Sequence, residues 1–265
     1  MHTPKLCRGI AGYLLLTHAL LLPQLPADVI TLVPAHDTSL IQVQPNRNNG
    51  GEAWFLAGTT QNGTRNRGLL QFDLSGIPAN AIITSASLSI EVTRVPGCGF
   101  SISSFSLHRM LVSWGEGGQI AIDNNGGQGA PAAPGEATWN NRFFGGAAWS
   151  APGGAADADF TADPSASAFI YGTGDSPYDF NGPMMLADVQ DWLYHPQSNF
   201  GWMFLSDDEI TTFTARRFGS REDPNAWPQL TIQFEPVPEP GTMALVALGL
   251  AALTLWRAAR PYGVR

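Results

Sequence analysis

Apolar and polar residues alternate through most of this chain. Leu70, Phe72 and Leu74 alternate with Gln71 and Asp73; Leu88, Ile90 and Val92 with Ser87, Ser89 and Glu91; and Leu230, Ile232 and Phe234 with Thr231 and Gln233. A period of two places successive side chains on opposite faces, so these segments are predicted strands, each with one buried face. Phe72, Ile90 and Ile232 are the predicted core. Parity changes between residues 100 and 111: Phe100 and Ile102 are apolar before Ser103-Ser104, and Phe105 and Leu107 after it, which predicts a bulge or a break. Residues 46–51 and 115–135 are rich in Gly and Asn, and the second stretch reads as a long excursion loop. Residues 186–193 depart from the β pattern, with apolar positions at 186, 189 and 193, and predict a short helix crossing the end of a sandwich. The predicted fold class is all-β, an antiparallel β-sandwich with one short helix.

Both ends carry a different pattern. Lys5 and Arg8 precede an apolar run over residues 10–22, followed by Pro23 and Pro26, the layout of a secretory signal peptide over residues 1–27. Cleavage is placed after Ala27, with Ala35 as the alternative because Leu25 occupies a position that favours small residues. The C-terminal end reads Val237-Pro238-Glu239-Pro240-Gly241-Thr242, then an uncharged stretch over 243–256, then Arg257, Arg260 and Arg265. That stretch is expected as a transmembrane helix of marginal length, with the arginines held on the cytoplasmic side. The order of motif, apolar helix and basic end resembles the PEP-CTERM sorting signal over 237–265. The resemblance implies exosortase, a membrane-embedded cysteine protease of Gram-negative bacteria, as partner, and Pro238, Glu239 and Pro240 as the sorting motif. A plain membrane anchor is the alternative reading of the same tail.

Charge narrows the partners. Residues 28–236 hold nine arginines, no lysine and twenty-one acids, a net charge near −12, which argues against nucleic acid. Cys98 is the one cysteine left once Cys7 goes with the signal, so no intramolecular disulfide is available to that region. Local catalytic signatures are missing: there is no His-Glu-x-x-His helix and no Gly-x-Ser-x-Gly elbow, and His36, His108 and His195 are scattered. Asp207, Asp208 and Glu209 form an acidic run that reads as a solvated turn. Asp37 and Asp73 are candidate ligands of a structural calcium ion; no other cofactor is expected. Among seven tryptophans in this region, Trp54 and Trp149 lie beside Gly-rich loops and are the candidate glycan-stacking platform, whereas Trp192 and Trp202 read as buried.

Several segments, taken in order, resemble a DNRLRE-type domain, a surface-protein module related to carbohydrate-binding modules. They include Arg67-Gly68-Leu69-Leu70-Gln71-Phe72-Asp73-Leu74-Ser75-Gly76-Ile77-Pro78, Leu107-His108-Arg109 with Ser113-Trp114, Ala137-Thr138-Trp139-Asn140-Asn141, Asn199-Phe200-Gly201-Trp202, and Phe218-Gly219-Ser220-Arg221-Glu222. The literal DNRLRE string is absent. The resemblance implies a jelly-roll-like sandwich without catalysis over residues 28–236. The expectation is a non-enzymatic surface or matrix protein, passing through the inner membrane as a precursor and then reaching the cell surface or the medium, where it associates with exopolysaccharide. A secreted polysaccharide hydrolase or lyase, and a structural protein with no glycan ligand, are the alternatives.

Overall fold

The structure, a computed structural model, describes residues 27–121, 127–237 and 240–258; the expected signal peptide lies almost wholly outside them. In chain order the elements are β1 (Asp28–Leu32), β2 (His36–Ile41), β3 (Arg47–Asn48), β4 (Trp54–Thr59), β5 (Arg65–Gln71), β6 (Ile82–Ile90), β7 (Val92–Arg94), β8 (Ser103–Arg109), β9 (Ala130–Pro131), β10 (Ala166–Ile170), β11 (Tyr178–Asn181), α1 (Pro183–Tyr194), β12 (Trp202–Ser206), β13 (Arg216–Gly219), β14 (Gln229–Glu235) and α2 (Pro240–Ala258). The chain is mostly β, as its alternation predicts.

Two antiparallel sheets carry the core. The smaller runs β1, β14, β6, β11, and the larger β10, β8, β12, β5, β4, β13, β7, with β2 paired along β5. On the side away from β2, β5 pairs with β4 at Arg65 and Asn66 and with β12 from Gly68 to Leu70, so the larger sheet splits and curls there. Leu88, Ile90, Leu230, Ile232 and Phe180 from the smaller sheet pack in one cluster with Phe55, Leu70, Phe105, Phe204 and Phe218 from the larger, and Phe72 joins them. Phe204 is the hub: its ring lies 4.9 Å from Phe218, 5.4 Å from Phe105 and from Phe180, and 5.9 Å from Phe55. Such aromatic pairs add stability beyond the area they bury.

α1 forms where helical spacing predicts it. Its buried residues Met185, Asp188, Val189, Trp192 and Leu193 recur at three and four, and Met185, Val189, Trp192 and Leu193 join the core. The parity change near residue 103 is not a bulge. β8 begins at Ser103 and pairs without a register shift, while Phe100 and Ile102 stay outside it, 42% and 56% exposed.

A second cluster covers the other face of the larger sheet. Leu40, Leu69, Met203 and Leu205 contact Trp114, Ala137, Trp139, Trp149 and Phe160 from the long connection between β8 and β10. Arg67 clamps this cover: Nη1 donates to the carbonyls of Gly153 at 2.8 Å and Gly154 at 3.1 Å, and Nε and Nη2 reach Glu209 at 2.7 and 2.6 Å. Gly153 (φ +88°) passes so close to Trp139 that a Cβ would fall 2.6 Å from the indole. Gly201 (φ +75°) is equally constrained, since a Cβ there would meet Leu70 O at 1.9 Å.

The C-terminal helix requires a correction. α2 forms, but among the described residues no helix is long and apolar enough to cross a membrane. The uncharged apolar stretch, 243–256, is about 21 Å long at the α-helical rise, against a hydrocarbon core of about 30 Å. The expected transmembrane span is therefore unsupported. The described α2 side chains are exposed nonetheless, Leu245, Leu248 and Leu255 at 71%, 67% and 72%, an apolar surface of the kind that marks interaction sites.

Candidate functional site

The two candidate platform tryptophans are buried. Trp54 is 7% exposed, with the Arg217 guanidinium 3.9 Å from its ring centre, and Trp149 is 5% exposed, donating from Nε1 to Thr138 O at 2.8 Å. Neither offers an open face to a sugar ring: Trp54 lies under the Arg217 guanidinium and beside Gly127, and Trp149 belongs to the buried cluster that includes Trp139 and Phe160. Trp192 and Trp202 are buried in the core, as their settings predict.

The candidate calcium ligands are held apart by different partners. Asp37, 1% exposed on β2, accepts from the Arg221 backbone N–H at 2.7 Å. Burial, reinforced by the charges of Glu222 and Glu116 and opposed by Arg221, raises its pKa to about 8. Asp73 is exposed and capped by Ser75, whose N–H and hydroxyl each donate at 2.9 Å and lower its pKa. Glu116 ties its surroundings together: it accepts from Asp37 N at 2.9 Å and Arg221 Nε at 2.9 Å, and bonds His36 Nδ1 at 2.8 Å. The local positive charge is thus a guanidinium. Among the described residues no group of three His, Cys, Asp or Glu is placed to hold a metal ion.

The acidic run also dissolves into separate structural roles. Glu209 pairs with Arg67, and Asp208 caps a turn through the Thr211 hydroxyl and the amides of Ile210 and Thr211, which hold its pKa down. Asp207 accepts from the Ser106 hydroxyl, which lies 2.8 Å from His108 Nε2, while His108 Nδ1 lies 2.8 Å from Thr161 O. The order differs from a hydrolase triad, in which the imidazole stands between serine and carboxylate. Ser106 is 1% exposed, and burial lowers the His108 pKa.

Sequence reading missed one concave surface. A groove of about 310 Å³ lies over β4, β7 and β13, walled by Val43, Leu56, Val95 and Pro96. Arg94 and Arg217 face each other across the β7–β13 pair and both line it, and no carboxylate is among its described lining residues. Burial and the neighbouring Arg94 charge lower the Arg217 pKa, with Glu52 opposing. Arg94 makes no hydrogen bond or ion pair with a described residue. Cys98 sits in the groove wall, exposed, its Sγ 3.3 Å from Gln61 Oε1. Local pattern held no signal for this pairing, since Arg94 and Arg217 meet only through the sheet.

The tail leaves the domain at a fixed point. β14 ends with Glu235 opposite Ile82, and Asn80 Nδ2 donates to Val237 O at 3.0 Å. Pro238 and Glu239 lie outside the described residues. Pro240 opens α2, where a missing N–H costs nothing. A family model for the PEP-CTERM protein-sorting motif matches residues 236–260. This tail is a sorting signal. The PEP-CTERM motif makes exosortase the processing partner and marks export to the surface of a Gram-negative cell. It begins at the residue after β14, so the fold ends where the signal starts. No curated protein matches the chain.

Proposed function

We propose that this chain is a non-catalytic cell-surface or matrix protein, processed by exosortase, whose β domain over residues 28–236 binds acidic exopolysaccharide in the Arg94–Arg217 groove. The observation that carries this reading is the pairing of Arg94 with Arg217 across β7 and β13 in a groove whose described lining residues include no carboxylate, Glu52 acting on Arg217 from outside that lining. Like charges directly opposite on neighbouring strands destabilise a sheet. A polyanion removes that repulsion, and arginine matches carboxylates through paired hydrogen bonds. Resemblance to the DNRLRE-type, carbohydrate-binding-module-like domains agrees with it. The absence of catalysis is supported by the buried Ser106 and by the structural engagement of Asp208 and Glu209. Sorting is read as beginning with a signal peptide over residues 1–27 and passing through an inner-membrane precursor.

The test is retention on immobilised polygalacturonate compared with neutral dextran. Wild-type protein is expected to bind the acidic polymer, with an affinity that falls as salt rises, and the Arg94→Ala, Arg217→Ala double variant to lose at least about tenfold, the equivalent of one charge-assisted contact. Equal retention of both proteins removes the groove from the proposal.

A further inference from the structure

The cover on the larger sheet stops short of one corner. Residues of the β8–β10 connection pack over β2, β5 and β12, whereas β10 is the edge strand at its end of the sheet. Ala168 and Ile170 of β10 pack into the core, so Phe169 between them points to the opposite face, where it is 65% exposed. Tyr171 follows on the same side, 45% exposed and about 7 Å farther along at the rise of a strand. Ile170 pairs with Ser103, which brings the exposed Ile102 opposite Tyr171. Phe100 closes the corner: a Cβ on Gly172 would fall 3.1 Å from its ring. Four large apolar side chains are exposed side by side here, the arrangement that marks an interaction surface. Its base is fixed. Arg216 Nη2 donates to Ser101 O at 2.7 Å and Tyr171 O at 3.0 Å, and Phe213, held at φ +64°, accepts from Ser101 N at 2.9 Å. A left-handed non-glycine residue persists only where its surroundings over-determine it, and a fixed surface spares a ligand the cost of ordering it.

Charge selects the occupant. Residues 95–107 and 164–174, which build this corner, carry no charged side chain, in a region of net charge near −12. Arg216 beneath it is 1% exposed and spends its donors on backbone carbonyls. Carboxylates stand at the margin: Asp175 just after Tyr171, and Asp207, whose N–H donates to Ser104 O at 2.9 Å. An anion is therefore disfavoured, and so is a second copy of this acidic chain. Hydroxyls are interleaved with the rings, since Ser167 shares the exposed face of β10 with Phe169, and Ser104 lies opposite Phe169. A purely apolar partner would strip those hydroxyls of water and leave them unpaired. A sugar ring has a face of C–H bonds that suits the negative face of an aromatic ring, and an edge of hydroxyls that both donate and accept. We propose that this corner is a platform for an uncharged polysaccharide chain, with successive sugar rings on Phe169 and Tyr171 and their hydroxyls bonded to Ser167 and Ser104. The tail leaves the domain beside Ile82, whereas Tyr171 N–H bonds the hydroxyl of Tyr178, which pairs with Ile90 at the other end of β6. The platform thus lies at the end of the domain away from the tail. It is separate from the arginine groove and does not depend on that reading.

The full-length protein, ring-labelled with ¹³C-phenylalanine and ¹³C-tyrosine in zwitterionic micelles, is titrated with cellohexaose, maltohexaose, laminarihexaose, glucose and oligogalacturonate. The Phe169 and Tyr171 resonances, identified by their loss in Phe169→Ala and Tyr171→Ala, are expected to move saturably with at least one neutral hexaose. Phe169→Ala, at an exposed position where truncation spares the core, is expected to weaken that binding at least about tenfold by calorimetry. Val29→Ala, at an exposed apolar position on β1, is expected to leave it unchanged. No saturable movement with any of the three hexaoses overturns the site, as does unchanged binding in both Phe169→Ala and Tyr171→Ala. Oligogalacturonate moving the same resonances as tightly overturns the preference for an uncharged ligand, and glucose binding as tightly as the hexaose overturns the chain. A dimer that forms as protein concentration rises, read by light scattering in the same micelles, and that Phe169→Ala dissolves gives the corner to a second copy and overturns the proposal.

Discussion

The two sheets of this domain are built under different rules. In the smaller sheet β6 and β14 bury alternate residues, and the intervening Ser87, Ser89, Thr231 and Gln233 remain at least partly exposed. In the larger sheet β4 and β12 are buried at every position, and β5 at all but its ends, because the β8–β10 connection covers the face turned away from the core. A one-faced sheet reads as alternation; a sheet buried on both faces loses that signature and must satisfy its polar residues internally. Asp37, Arg67 and His108, each with a specific partner, all lie on the larger sheet.

Breaking the comparison begins at Phe204. Phe204→Ala removes the ring shared by four aromatic neighbours and is expected to cost about 3–5 kcal/mol, read by urea denaturation; a loss below about 1 kcal/mol would mean the two sheets do not share one core. Next comes Arg67→Ala, which leaves two carbonyls without their donor and Glu209 with only its longer, 3.7 Å ion pair to Arg65. Removal of one partner from a buried ion pair costs about 3–5 kcal/mol, and the roughly 10% to 17% exposure of this pair sets the expectation at the lower end. Hydrogen exchange should then accelerate over residues 137–160 before the smaller sheet responds, whereas uniform acceleration would show that the cover is no separate layer.

A third test uses pH. The folded Asp37 carboxyl holds its proton up to about pH 8, while the unfolded one releases it near 3.8. Folding therefore takes up a proton between those values, so this group's contribution is fully present below about pH 4 and is lost as pH rises through 8. Asp37→Asn should flatten the decline in melting temperature between pH 5 and 8; an unchanged slope relative to wild type would show that Asp37 is already ionised in the fold. The smallest effect belongs to the open face of the smaller sheet. Thr231→Ala loses a hydroxyl contact with Thr31 at 3.1 Å and should change stability by less than about 1 kcal/mol. A larger loss would reveal a partner covering that face.

Legibility in the sequence followed these rules. β6, β14 and α1 were readable because their periods survive in the residues themselves, and Phe72, Ile90 and Ile232 do share the core. The expected exposure of Trp54 and Trp149 was not met, since a Gly-rich neighbourhood describes the chain on either side of an indole and not what folds over it. The arginine pair in the groove joins residues on separate strands, and the Asp37–Arg221 contact spans 184 positions. No window along the chain contains either.

By itself the sequence determined the local matters: the two-residue period that makes strands, the helical spacing of α1, and the Pro-Glu-Pro tail with its short apolar helix. Each depends on neighbours within a few residues, where backbone geometry is set. Only the tertiary structure decided which faces are covered, which charges are paired and which cavities stay open. Those outcomes are sums over contacts between distant segments, and burial by such contacts is what raises the Asp37 pKa, seals Trp149 and leaves the Trp192 indole without a partner.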